Sequence, residues 1–186
     1  MHLKTELERF VEVFGREDYD IGKVTLSGED AETDSLDSLY KILNFEKPLV
    51  TVGELFLTIE PQFNLEKAQL GWYKIKHEES WVSDDKLWNK DWIVFGDRNG
   101  DAIFYDKSDG KVYGSIDKRQ KYLLGSSLTH FFSVLTQGLV AEKEKFNFET
   151  SDDTEEPLPE FLDHIYTILR QTDKEAADSF MEFFFE

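Results

Sequence analysis

Three short stretches rich in aromatic and β-branched residues follow one another in the middle of the chain, at residues 91–96, 101–106 and 111–116. Residues of these types favour pleated, half-buried strands. The turns between the stretches end in Asn99-Gly100 and Asp109-Gly110. Such pairs tolerate the positive φ that tight hairpins require. The pattern therefore predicts an antiparallel meander.

An apolar stripe at helical spacing follows the meander and predicts a helix that packs on the sheet. Its positions are Leu124, Leu128, Phe131, Phe132 and Leu135. Ser126 or Ser127 is placed to cap the start of this helix, and Gly138 is predicted to end it.

The first half of the chain predicts two more helices and several short strands. Leu3, Leu7, Phe10, Val11 and Phe14 share one face of a helix that Gly15 would stop. A second helix begins at Leu36, with Asp34 or Ser35 as its cap. Strands are predicted at residues 23–26, 49–52, 54–59 and 71–76, with a helical turn over residues 65–70.

The last part of the chain opens with an acidic connector, residues 149–160, which holds six acids and no base. Apolar residues then predict a helical C-terminal extension over residues 161–186, with a capping box at residues 172–175. Residues 180–185 are too apolar to face water, so they must pack on their own domain or on a second chain. The whole pattern predicts a single α+β domain over residues 1–186, with an antiparallel-dominated sheet flanked by helices.

The centre of the chain also carries an ordered set of motifs. They are Gln69-Leu70-Gly71-Trp72-Tyr73, Trp88, residues 92–96, Gly100-Asp101, Val112-Tyr113 and the closing Leu128, Phe131 and Leu135. In this order they resemble the SUKH superfamily of Smi/Knr-type proteins, over residues 36–135. Two positions depart from that pattern. Ala102 stands where many members carry proline, and residues 119–122 replace a common glycine-and-tryptophan loop.

The resemblance implies an α+β fold without catalytic activity. In bacteria it implies an immunity protein that binds and neutralises a polymorphic toxin. Fungal relatives in the family are linked to cell-wall assembly, so the resemblance also allows a regulatory scaffold for an endogenous cytosolic or cell-wall partner.

The net charge of the chain indicates which kind of partner it can bind. The chain carries 21 Lys and Arg against 39 Asp and Glu, a formal net charge of −18. Such a field repels nucleic acid and anionic membranes and attracts basic partners, although the commoner reason for acidity is solubility. Residues 1–6 lack the apolar core of a signal peptide, and no apolar run approaches the roughly 20 residues of a membrane helix. A cytoplasmic location is therefore expected.

Motifs for chemistry are incomplete. The absence of cysteine excludes disulfides, thiol nucleophiles and thiolate metal sites. Asp97, Asn99 and Asp101 have the opening spacing of a calcium loop, but Ala102 and Ser108 occupy its required glycine and glutamate positions. Gly22-Lys23 and Gly110-Lys111 lack the earlier glycine of a phosphate loop. The four histidines have no metal-ligand spacing, and His130 near Ser126 lacks an orienting acid. No enzyme activity, metal or cofactor is predicted.

These observations lead to one functional hypothesis. The chain is expected to be a bacterial immunity protein that binds a cognate toxin, a basic one such as a nuclease, and to exist as a monomer or homodimer. The predicted partner-binding residues are Asp84, Asp85, Trp88, Asp97 and Asp101, together with the acidic loop 29–37. Burial under a loop is the alternative role for any single tryptophan in such charged surroundings.

Overall fold

The computed structural model describes residues 2–14 and 23–186, which form ten strands and six α-helices. The strands are β1 (Val24–Leu26), β2 (Leu43–Phe45), β3 (Leu49–Val50), β4 (Thr58–Ile59), β5 (Lys74–His77), β6 (Ser80–Ser83), β7 (Trp92–Arg98), β8 (Asp101–Asp106), β9 (Lys111–Ser115) and β10 (Tyr122–Gly125). The helices are α1 (Leu3–Val13), α2 (Leu36–Ile42), α3 (Leu65–Ala68), α4 (Leu128–Val140), α5 (Pro159–Thr172) and α6 (Ala177–Phe185). The predicted stop at Gly15 and the Gly22 of the rejected phosphate loop lie outside the described residues.

A six-stranded antiparallel sheet forms the centre, in the order β10-β9-β8-β7-β4-β3. The predicted meander is confirmed as β7, β8 and β9. Arg98 pairs with Asp101, so Asn99 and Gly100 form a two-residue turn, with φ of 53° and 93°. The mixed α+β class with an antiparallel sheet is likewise confirmed.

Several local predictions need correction. Leu124 lies in β10, a fourth meander strand, and not in the following helix. The strands predicted over residues 49–52 and 54–59 shorten to β3 and β4, and the one predicted to start at Gly71 begins at Lys74. The strand predicted at residues 23–26 forms as β1, and its partner β2 directly follows α2, the helix predicted to begin at Leu36.

One sheet face carries the main core, to which all helices except α3 contribute buried residues. The ring of Phe10 on α1 meets that of Phe132 on α4 edge-on, with ring centres 5.1 Å apart. Ser127 caps α4, because its hydroxyl accepts a hydrogen bond from the backbone N–H of His130. Gly138 does not end this helix: α4 continues to Val140 and then widens into a π-helical turn, Ala141–Lys145.

The other sheet face is covered by the segment between β4 and β7. This segment holds a 3₁₀ turn (Gln62–Asn64), α3 and the separate two-stranded sheet of β5 and β6. It builds a second, smaller core in which Trp88 packs with Val94, Ala102 and Phe104.

The C-terminal helices close the main core: α6 packs against β10, and α5 packs against α4 and α6. The predicted capping box is wrong, because Thr172 is the last residue of α5 and α6 begins only at Ala177. Phe180 and Phe184 are buried in the main core, so the apolar C-terminal run packs on its own chain. In the acidic connector, the N–H of Leu158 bonds to the carbonyl of Thr150 at 2.8 Å.

Across the described ranges, no helix is both long enough and apolar enough to span a bilayer.

Candidate protein-binding surface

Two of the predicted binding residues, Asp84 and Asp85, differ in their exposure to solvent. Asp84 is only 8% exposed. Its carboxylate lies 2.8 Å from the Lys118 amine, and the hydrogen bond from Lys118 lowers the pKa of Asp84. Asp85 is exposed. Asp84 therefore stabilises the contact between two loops and is not available to a partner in this conformation.

Trp88 is also removed from the surface. It is 2% exposed, and its indole N–H donates to the Trp92 carbonyl at 3.0 Å. Its ring packs against those of Trp72 and Phe104. Trp88 thus fills the second core, which agrees with the alternative prediction that it is buried under a loop. The most exposed tryptophan is Trp81, at 53%.

Asp97 and Asp101 remain partly exposed but lie at the far end of β7 and β8 from Trp92. Trp92 pairs with Asp106, whereas the turn that follows Asp97 starts at Arg98. The six steps from Trp92 to Arg98 span about 20 Å at roughly 3.3 Å per residue. The five predicted residues therefore do not form one surface.

The acidic residues of the loop 29–37 are exposed, as predicted, and two contacts fix the position of the loop. The carboxylate of Asp34 accepts a hydrogen bond from the Thr129 N–H at the start of α4, 3.2 Å from each oxygen. Ser35 caps α2 by accepting from the Ser38 N–H at 3.3 Å. Because the N-terminal end of a helix carries free N–H groups and partial positive charge, it favours such acceptors, and the loop is held against two helix N-termini.

Other carboxylates converge on this loop from distant parts of the chain. Burial raises the pKa of Tyr105, and the charges of Asp34, Asp109 and Asp37 raise it further. The Tyr105 hydroxyl lies 3.4 Å from the Asp34 carbonyl oxygen, which places the turn between β8 and β9 beside the loop. Lys111, which follows this turn, forms an ion pair with Glu175 of the α5–α6 junction. We call the loop 29–37 with Asp109 and Glu175 the acidic face.

The acidic face is open and concave. A cleft of about 430 Å³ is lined by Asp30, Ala31, Glu32, Thr33, Ser35, Asp37, Ser38 and Lys41. Asp30 is paired with Lys4 at 2.9 Å and Glu29 with Lys41 at 3.7 Å. Within residues 2–14 and 23–186, no lysine or arginine forms an ion pair with Glu32, Asp37 or Asp109. Glu32 and Asp37 are therefore free to meet an incoming cation, and Asp109 adds its charge although both of its oxygens accept hydrogen bonds.

Two lysines reduce the negative electrostatic potential at one border of the acidic face. Lys107 and Lys174 are exposed on the β8–β9 turn and the α5–α6 junction. Asp109 keeps its place beside them because its carboxylate accepts from the Tyr113 hydroxyl at 2.7 Å and from the Lys111 N–H at 3.0 Å.

The serine and histidine at the start of α4 do not form a catalytic triad. His130 Nδ1 lies 3.0 Å from the Ser126 hydroxyl and 3.2 Å from that of Ser127. The nearby carboxylate of Asp173 accepts instead from the backbone N–H of Ser126, so it does not orient the imidazole. Among the residues that the structure describes, no three acids or histidines are grouped to hold a metal ion.

Sequence reasoning found the acidic loop but missed Asp109 and Glu175. Asp109 was assigned only to a turn, and Glu175 to a capping box that does not form. Their approach to the loop depends on the packing of Tyr105 and on the Lys111 ion pair, which no local pattern indicates.

No family model, curated protein or solved structure matches this chain. The resemblance to the SUKH superfamily therefore stays a prediction.

Proposed function

We propose that this chain is a non-catalytic protein-binding domain that neutralises a cognate bacterial toxin by covering a basic surface of the toxin with the acidic face. The resemblance to SUKH immunity proteins supports the role. The net charge of −18 supports a basic partner. The observation that carries the proposal is an open cleft lined by Glu32 and Asp37, with Asp37 and Asp109 both close enough to Tyr105 to raise its pKa.

A toxin that acts on nucleic acid must carry lysine and arginine where the phosphates bind. Fixed carboxylates can occupy those groups and exclude the substrate, and opposite fields also accelerate encounter.

The anchoring of the loop favours this face over other acidic stretches. Asp34 and Ser35 hold the loop through backbone N–H groups of α4 and α2, so its carboxylates need little ordering on binding. Ala31 lines the same cleft as Glu32 and Asp37 and offers apolar surface to an entering basic side chain. The long stem of such a side chain can pack on apolar surface while its charge reaches the acids.

The test uses the protein encoded immediately upstream of this gene, titrated against wild type and two matched triple variants. The first variant, Glu32→Gln/Asp37→Asn/Asp109→Asn, removes three charges from the acidic face. The second, Asp153→Asn/Glu155→Gln/Glu156→Gln, removes three exposed charges from the acidic connector. Removal of each carboxylate charge that is desolvated at the interface should weaken the binding free energy by about 2–5 kcal/mol. The control should bind nearly as wild type does.

Salt gives the second readout. Association with wild type should slow as ionic strength rises, and this dependence should flatten in the first variant only. Equal affinity and equal salt dependence in the two variants would exclude the acidic face. Failure of wild type to bind or inhibit the upstream product would remove the immunity role for that pair.

A further inference from the structure

The hairpin of β5 and β6 stands apart from both cores. Its two strands form a sheet of their own, in which Ile75 pairs with Val82 and Lys76 with Trp81. Trp81 is 53% exposed and Val82 is 38% exposed. We call residues 74–83 the arm.

The arm has an unprotected edge. The outer side of β5 is partly occupied, because Lys74 bridges to Leu70. β6 has β5 as its sole strand neighbour in the described part of the chain. Its sequence, Ser80-Trp81-Val82-Ser83, contains neither the charges nor the proline with which proteins usually block an edge strand. A two-stranded hairpin alone is marginal in water, and three or more strands are needed for independent stability.

Charge indicates what can approach this edge. Residues 62–90 hold five lysines and five carboxylates, whereas the whole chain carries −18. A strongly basic partner gains little from a neutral segment. A second copy of the chain, which is repelled by most of the surface, meets no net charge here.

We propose that the arm pairs with the arm of a second copy. β6 would lie antiparallel to its symmetry mate across a twofold axis, with the two Trp81 side chains opposite each other. The product is a four-stranded sheet, β5-β6-β6-β5, which removes both open edges of β6.

The register follows from the residues. With Trp81 opposite itself, Ser80 faces Val82 and Glu79 faces Ser83, so no like charges are opposed within residues 79–83. An isologous contact of this kind closes as a dimer and leaves no further edge of β6 to propagate. The contact is small, so the association is expected in the micromolar range or weaker.

This proposal does not depend on the acidic face. The dependence on salt concentration distinguishes dimerisation through the arm from binding of a basic protein to the acidic face. Screening weakens the repulsion between two copies that each carry −18, so the dimer should tighten as ionic strength rises. Binding of a basic protein to the acidic face should weaken under the same change.

The first test is sedimentation equilibrium of the full chain at low and high salt, over about 1 μM to 1 mM protein. Wild type should shift from monomer to dimer with concentration, at lower concentration in high salt. Trp81→Lys places two like charges across the axis and should weaken dimerisation at least about tenfold. Leu26→Lys, at an exposed apolar position on β1, is the matched control and should leave it unchanged. Thermal midpoints equal to wild type would show that both variants fold.

The second test uses the absence of cysteine in the chain. Opposed residues of antiparallel strands have Cα atoms about 4.5–5.5 Å apart, within disulfide reach. Under mild oxidation Trp81→Cys should therefore cross-link into dimers much faster than Leu26→Cys. A chain that stays monomeric throughout, a dimer that Trp81→Lys does not weaken, or equal cross-linking of the two cysteine variants would each overturn the proposal.

Discussion

The guanidinium of Arg98 lies 4.8 Å from the centre of the Phe184 ring and also donates a hydrogen bond to the Phe184 carbonyl. Its other terminal nitrogen donates to the carbonyls of Glu54 and Phe56, at 3.0 and 3.3 Å. One side chain at the end of β7 thus joins the loop before β4 to the last turn of α6.

We expect Arg98→Lys to destabilise the protein, because an ammonium cannot reproduce the planar fork that reaches three carbonyls. The free energy of unfolding in urea should fall by about 1.5–3 kcal/mol, the range for hydrogen bonds to charged groups. Arg119→Lys, at an exposed position, should change it by less than about 0.5 kcal/mol. Equal stability of the two variants would show that Arg98 does not tie these segments together.

Gly138→Ala should destabilise the protein although alanine is the better helix former. Helix propensity alone would raise stability by about 1 kcal/mol. A methyl group at Gly138 would lie 2.2 Å from the Leu55 side chain, which is fully buried. Overpacking of this kind costs about 1–3 kcal/mol. In a Leu55→Ala background the clash is absent, so there the same substitution should be neutral or stabilising in thermal unfolding. A stabilising effect in the wild-type background would contradict the packing.

Phe180→Ala should remove about 3–5 kcal/mol of stability, because the ring is fully buried in the main core. Phe63→Ala is the control for loss of a phenyl ring, since Phe63 is 69% exposed. Its effect should stay within about 0.5 kcal/mol. If chemical denaturation found the two variants equally stable, α6 would not be docked in solution.

Asp106 and Asp101 should give opposite pH dependences of stability. Burial opposes ionisation of Asp106, but hydrogen bonds from Ser108 and the charge of Lys121 outweigh it and lower its pKa. Its contribution is therefore present above the unfolded pKa of about 3.9 and is lost as pH falls through the folded value. Burial raises the pKa of Asp101, so its ionised form is penalised in the fold as pH rises.

The measurement compares Asp106→Asn and Asp101→Asn with wild type in urea unfolding from about pH 3 to pH 7. The deficit of Asp106→Asn should be largest near neutral pH and should shrink in acid. Asp101→Asn should gain on wild type as pH rises. Parallel pH profiles for the two variants would contradict both assignments.

Sequence reasoning succeeded where structure is locally determined. Asn99 and Gly100 define their turn by backbone preference alone, so β7 and β8 could be placed from the sequence. Leu124 and Gly138 were misassigned for the opposite reason. Leu124 lies in a strand because β9 offers it a partner, and Gly138 stays inside α4 to leave room for Leu55.

Some residues of the candidate surface could likewise be predicted from the sequence, and others could not. The acidic loop 29–37 was predictable, because a run of carboxylates without bases rarely enters a core. Asp84 and Trp88 were placed on the surface because their sequence neighbours are charged. In the folded chain, Lys118 forms an ion pair with Asp84, and Trp92 accepts the indole hydrogen bond of the buried Trp88. These contacts form only when the chain folds.

The start of α4 also bears on how the chain folds. Its Thr129 amide is satisfied by Asp34, which lies 95 positions earlier, and its Ser126 amide by Asp173, 47 positions later. Neither bond can close until distant segments have docked, and such long loop closures are slow steps. Amide exchange at Ser126 and Thr129 should then require separation of those segments, so both sites would report on the last stage of assembly, although Ser126 directly precedes the cap of α4 and Thr129 lies in the first turn of this largely buried helix.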